Sequence, residues 1–195
     1  MIGKMDFTNA PPKMGSVIRG QAPVTSLSFH GDGVHLFVAS EEDSKLRLID
    51  CHKGSCDQPA VRCEREGVKL VSATHHNYSV LIVGENGSEE QQDQKHAVHY
   101  LSLYDNKLLR TFRGHVGDVV NLSMSPVDDS FLTSSRDRTV RLWNLQQAGC
   151  LGKLELPPTV EGAPCATFDS TGLVFGVTAA MAAGSGHVSC FWLFF

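Results

Sequence analysis

From Val119 to Asn144, apolar and polar residues alternate in three short runs separated by turn-forming residues. Val119, Asn121 and Ser123 share one face and Val120, Leu122 and Met124 the other, the period of two that marks a strand. A turn at Ser125-Pro126-Val127-Asp128-Asp129 follows, then a second run from Phe131 to Ser135. An Arg136-Asp137-Arg138 turn leads into a third run that ends at Trp143-Asn144. The pattern predicts consecutive antiparallel strands joined by tight turns.

The same arrangement recurs along the chain. VTSLSF (24–29), HLFVAS (35–40) and KLRLID (45–50) form an earlier copy; placing Asp43 on Asp137 sets Phe37 on Phe131 and Leu48 on Leu142. This copy keeps the turn aspartate but has Ala39 and Ile49 where the later one has Thr133 and Trp143, so apolar packing must hold it. A further copy reads VKLVSATHH (68–76), YSVLIVG (78–84), HAVHYLSLYD (96–105) and KLLRTF (107–112). GCLGKLEL (149–156) supplies an outer strand to the central copy, and ATFDSTGLVFGVTAA (166–180) with HVSCFWL (187–193) begins another. From Asp105 to Asn144 the spacing is 39 residues, near the repeat of roughly 40 to 45 residues expected of four-stranded propeller blades.

The Gly114-His115 pair before the central copy and the Trp143-Asn144 pair at its end complete the signature of a WD repeat. The expected fold is therefore an all-β WD-repeat propeller of about four blades, incomplete relative to a full ring. Residues 1–13 read as a flexible leader, 16–20 as a short strand, and the blades as about 20–60, 61–113, 114–156 and 162–195. The segment 84–95 (GENGSEEQQDQK) has too little apolar surface to pack and is expected to be a mobile loop. Closed propellers have roughly 4 to 8 blades, so four partial blades leave two faces open, as in a truncated isoform, a fragment or a misread gene.

The signature predicts a buried polar set: His115, Thr133, Asp137 and Trp143. Asp137 accepts from its own turn and from the imidazole, while Thr133 lies between the other ring nitrogen and the indole N–H. Thr133 is preferred to Ser135 because WD repeats carry the hydroxyl four residues before the aspartate. A hydroxyl–imidazole–carboxylate series also describes serine hydrolases, but a network locking one blade accounts for the tryptophan as well, and the chain has no G-x-S-x-G elbow. No enzyme activity and no cofactor are expected.

Composition narrows the reading further. A net charge of −4 and a pI near 6.1 argue against a general nucleic-acid binder. No apolar run reaches the roughly 18 to 20 residues that span a bilayer, and the N-terminus resembles neither a signal nor a transit peptide. The six cysteines are read as free thiols in a reducing compartment. No metal site is expected: Cys51, Cys56 and Cys63 with His52 lack zinc-knuckle spacing. The strand neighbours His75-His76, like His96 and His99, are not expected to present both rings together.

HYLSLYDNKLLRTFRGH (99–115), LSMSPVDDSFLTSSRDRTVRLWNL (122–145) and FDSTGLVFGV (168–177) carry a closer resemblance. From about Val17 to Thr178 the chain resembles the Swd-two type subunits of COMPASS histone H3 lysine-4 methyltransferase complexes, over about the first half of that family's propeller. The resemblance implies a non-catalytic nuclear adaptor, with some cytoplasmic presence. Its implied partners are the methyltransferase catalytic subunit and other complex subunits, the phosphorylated C-terminal repeat of RNA polymerase II, and a phosphatase-one complex; a role in transcription termination is also implied. Phosphate recognition calls for arginine forks, and Arg110, Arg113, Arg136 and Arg138 lie in or near rim turns. The alternative is a generic WD-repeat adaptor such as a ubiquitin-ligase substrate receptor.

Overall fold

A computed structural model of the chain describes residues 22–40, 44–56, 61–63, 67–84, 96–180 and 188–194. The regular elements in it are fifteen strands in four antiparallel sheets. The first sheet runs β1 (Ser26–Phe29), β2 (His35–Ser40), β3 (Lys45–Asp50) and β4 (Val61–Arg62). The second is β5 (Leu70–Ala73), β6 (Ser79–Val83), β7 (Val98–Ser102) and β8 (Lys107–Phe112). The third is β9 (Val119–Met124), β10 (Ser130–Ser135), β11 (Thr139–Asn144) and β12 (Gln147–Glu155). The last contains β13 (Cys165–Phe168), β14 (Val174–Ala180) and β15 (Val188–Phe194). Within each sheet every strand pairs with the next in sequence, which gives the fold an all-β, propeller-like form. Among the described residues no helix is long and apolar enough to cross a membrane.

Strand alternation sends successive side chains to opposite neighbours. In β6, Val80 and Ile82 join Phe37, Leu46, Val71 and Leu101 in a cluster between the first and second sheets. Leu81 and Val83 point the other way, into a cluster with Phe112, Val119, Phe131 and Trp143 between the second and third. In β10, Phe131 belongs to that second cluster, while Leu132 packs with Val140, Ala166, Phe175 and Val177 toward the fourth sheet. Full burial of side chains of this size stabilises by about 1.5–3 kcal/mol each.

The innermost strands β1, β5, β9 and β13 lie side by side, and polar side chains bridge two of their junctions. The Val71 and Ala73 amides donate to Ser26 Oγ (3.2 Å) and Ser28 Oγ (2.9 Å). At the β9–β13 junction, with the same separation of 45 residues between donor and acceptor, the Ala166 amide donates to Asn121 Oδ1 (3.1 Å) and the Phe168 amide to Ser123 Oγ (3.4 Å).

One strand lies in a different sheet from the one the sequence boundaries give it. Val61–Arg62, placed at the start of the second blade, pair with Leu46 and Lys45 as the outer strand of the first sheet. With only two residues, this strand has no alternation to read. The leader, the segment 16–20, Asp43 and nearly all of the 84–95 segment lie outside the described residues.

Candidate functional site

The loop from Gly114 to Asp118 carries His115 over the end of the third sheet, where β10 turns into β11. There His115 Nδ1 lies 2.9 Å from Asp137 Oδ2, and Nε2 lies 2.6 Å from Thr133 Oγ1. The Trp143 indole N–H donates to the same hydroxyl oxygen at 2.9 Å. A single set of protons satisfies all four groups: indole N–H to Thr133 oxygen, Thr133 O–H to Nε2 of a neutral imidazole, and Nδ1–H to the carboxylate. Thr133 is fully buried, and only 1% of the His115 side chain and 4% of the Asp137 side chain are exposed.

Asp137 is held by more than the imidazole. Its oxygens also accept from the Val116 amide (3.0 Å), the Thr139 amide (2.9 Å) and the Thr139 hydroxyl (2.6 Å). Burial raises the carboxyl pKa, but the bonds from His115, Thr139 and Val116 outweigh it, so the group is held far below the usual carboxylate range. Thr139, which also approaches His115 Nδ1 at 3.2 Å, was not among the residues expected from the sequence. The signal was present: an aspartate two residues before a threonine forms a local side-chain-to-backbone turn. Gly117 fits where it does because a Cβ there would come within 2.8 Å of the Asp137 nitrogen. Ser135, the other candidate hydroxyl, instead donates to the Gly117 carbonyl at 2.8 Å.

Trp143 is 1% exposed. It stacks on Phe131 at 6.4 Å and meets Phe112 edge to face at 5.8 Å, while Phe112 and Phe131 are 4.9 Å apart. Phe112 closes the second sheet, so the polar set and the aromatic cluster sit together at the junction of the second and third sheets. What the arrangement does chemically is hold. The Thr133 oxygen is buried and already occupied by two partners, which leaves it no approach to an external carbonyl.

Beside this set a rim groove of about 340 Å³ opens between the Asp137 turn and the outer strand β12. Arg138, Arg141 and Lys153 line it together with Val116, Glu155 and Pro158. Arg138 donates to the Pro158 carbonyl at 3.2 Å, Arg141 lies 6.0 Å over the Trp143 ring, and Lys153 pairs with Glu155 at 2.6 Å. Of the four arginines picked from sequence, Arg138 lines this groove; Arg113 and Arg136 are exposed elsewhere on the rim, and Arg110 is half-buried on β8 opposite Tyr100. Arg141 and Lys153 were missed because each reads as an ordinary strand residue until β11 and β12 pair.

The histidines weighed as ligands are dispersed. His75 Nε2 contacts the Ser125 carbonyl at 2.8 Å and His76 faces Asp129 at 3.3 Å. His96 faces Asp118 at 3.1 Å, and His99 lies 3.3 Å from the Thr111 hydroxyl. Cys51, Cys56, Cys63, Cys150 and Cys165 are free thiols.

The model for the WD domain, G-beta repeat matches residues 13–50 and 106–144, the second span containing the whole His115–Thr133–Asp137–Trp143 set. The chain belongs to the WD-repeat family. This WD-repeat chain is 38% identical over 152 residues to WD repeat-containing protein 82 of Drosophila melanogaster, a match that covers 78% of the chain and 44% of the relative. It is 35% identical to Set1 complex component swd2 of Schizosaccharomyces pombe (78% of the chain, 39% of the relative). It is 31% identical to COMPASS component SWD2 of Saccharomyces cerevisiae (80% and 43%). The chain spans less than half the length of these relatives.

Proposed function

We propose that this chain serves as a non-catalytic WD-repeat subunit of a Set1/COMPASS-type histone H3 lysine-4 methyltransferase complex in the nucleus. The observation that carries this reading is its similarity to two proteins named as components of such complexes, over about four fifths of the chain. The buried and fully partnered Thr133 supports the non-catalytic part: a polar set of this kind fixes blade geometry and leaves the surface to do the binding. In a pull-down of the tagged chain from nuclear extract, the methyltransferase subunit is expected to co-purify. Recovery of a ubiquitin-ligase core in its place would assign the chain to a different class of WD-repeat adaptor.

The finer part of the proposal concerns the phosphorylated C-terminal repeat of RNA polymerase II; a phosphatase-one complex and the transcription termination machinery stand as further partners on the same reading. Arg110, Arg113, Arg136 and Arg138 are the proposed phosphate contacts, and the groove adds Arg141 and Lys153 beside Arg138. Arginine forks bind phosphate oxygens in pairs, and lysine adds a point charge. Charge reversal of Arg136 and Arg138 together is expected to abolish binding of a phosphorylated heptad peptide in fluorescence anisotropy without lowering the melting temperature. Unchanged peptide affinity in that variant removes this site.

A further inference from the structure

The β1–β2 hairpin turns through His30-Gly31-Asp32-Gly33 at the rim opposite the His115 loop, and its aspartate uses its two oxygens differently. Asp32 Oδ1 accepts from the Val34 amide (2.8 Å) and the His35 amide (3.0 Å), which fixes the carboxylate to the turn. Oδ2 lies between two imidazoles, 3.1 Å from His30 Nδ1 and 2.5 Å from His35 Nδ1. One donor atom from each of the three side chains falls within 4.8 Å of the others. His30 Nε2 is buried with no hydrogen-bond partner; the ring is seated edge-on against Phe37 at 6.2 Å. The Asp32 amide approaches His30 Nδ1 at 3.3 Å, so the turn and the Phe37 contact together place this imidazole.

We propose that His30, Asp32 and His35 form a Zn²⁺ site, with its remaining coordination position open to the cavity beside it. Two imidazoles and one carboxylate suit zinc; magnesium and calcium favour all-oxygen sets. With Zn–N and Zn–O bonds of about 2.0–2.2 Å, the ligand atoms of a tetrahedral site stand roughly 3.3 Å apart. The His30–Asp32 pair is already within a few tenths of an ångström of that. His35 must open by less than an ångström, and its side chain is 29% exposed.

The fourth position faces a half-open cavity of about 220 Å³ that Phe37, Leu48, Asn77 and Tyr78 also line. Asn77 and Tyr78 come from the β5–β6 turn, and Tyr78 holds a left-handed backbone (φ +54°) with its ring 6.2 Å from His35. The site therefore lies where the first sheet meets the second, with apolar walls around the metal and room for a water. Sequence spacing conceals it: the ligands at 30, 32 and 35 match no zinc-knuckle or helical motif, and only the hairpin turn brings them together.

Isothermal titration of the 195-residue chain with ZnCl₂ tests the proposal, after iodoacetamide has blocked the exposed cysteines (Cys51, Cys56, Cys150 and Cys165) that would bind zinc themselves. One Zn²⁺ per chain is expected. His35→Gln, a change at a partly exposed ring that leaves the turn intact, is expected to weaken binding by about 100-fold, the upper end of what losing even a supporting group around a metal does. His30→Gln is expected to do the same where circular dichroism shows it folded. No binding by the blocked wild type, or an unchanged Kd for a folded His35→Gln, overturns the proposal.

Discussion

Replacing Thr133 with valine is the sharpest test of what holds the third sheet. Valine has nearly the shape of threonine, so the packing against Phe131 and Trp143 survives and the hydroxyl alone is lost. Two buried groups lose their partner: the Trp143 indole N–H, 2.9 Å from that oxygen, and His115 Nε2, 2.6 Å from it. Each unsatisfied buried group costs about 1–3 kcal/mol, giving about 2–6 kcal/mol in all, a large part of the roughly 5–15 kcal/mol that a domain has. With an m-value of about 2–3 kcal/mol/M in urea, the midpoint falls by about 1–3 M. Thr133→Ser keeps the hydroxyl and deletes one buried methyl, costing about 1 kcal/mol. Tryptophan fluorescence follows both unfolding transitions. If apolar burial were the main support at this position, valine would be the better replacement and the order would invert. A Thr133→Val midpoint at or above that of Thr133→Ser therefore refutes the account.

Asp137 gives the network a pH dependence of definite sign. Its carboxyl is held below the unfolded value, so its contribution is fully present above about pH 4 and is lost as the pH falls toward the folded pKa. Urea midpoints of the wild type and Asp137→Asn are expected to differ most near pH 7 and to draw progressively closer as the pH falls below about 4; a gap that stays constant down to about pH 2 contradicts this. At the innermost strands, Ser28→Ala removes the acceptor of the half-buried Ala73 amide and is expected to cost about 1–2 kcal/mol by chemical denaturation.

Much of the fold could be read from the chain because a period of two, broken by turns, survives without tertiary context. HLFVAS, KLRLID and KLLRTF coincide with β2, β3 and β8, and the outer strand expected over 149–156 is β12. The outer strand of the first sheet escaped because Val61–Arg62 is too short for any pattern. In the His115 region, residue types at fixed spacing named four of the groups that the structure brings together. The fifth, Thr139, depends on which hydroxyl the turn aims inward. The groove residues Arg141 and Lys153 face each other across the β11–β12 register, a pairing set by where the Asn144–Gln147 turn falls and not by local alternation. His30, Asp32 and His35 were hidden for the same reason: their convergence belongs to a hairpin turn, and a turn carries no periodicity.

The distribution of polar contacts explains why a single full WD set is enough for three junctions. Stacked sheets that meet only through Val, Leu and Ile can slide, because apolar contacts are non-directional while a one-residue slip exchanges the faces of a strand. Each junction here has a directional feature that forbids this. Ser26 and Ser28 bind the β5 backbone at the first junction, and Asn121 and Ser123 bind β13 at the third. At the middle junction the His115–Thr133–Asp137–Trp143 set acts from one rim and His75 reaches the Ser125 carbonyl from the other. Ala39, standing where Thr133 stands two blades later, is fully buried in apolar surroundings. It can afford to lack a hydroxyl because the serine contacts already fix the register of its sheet against the next.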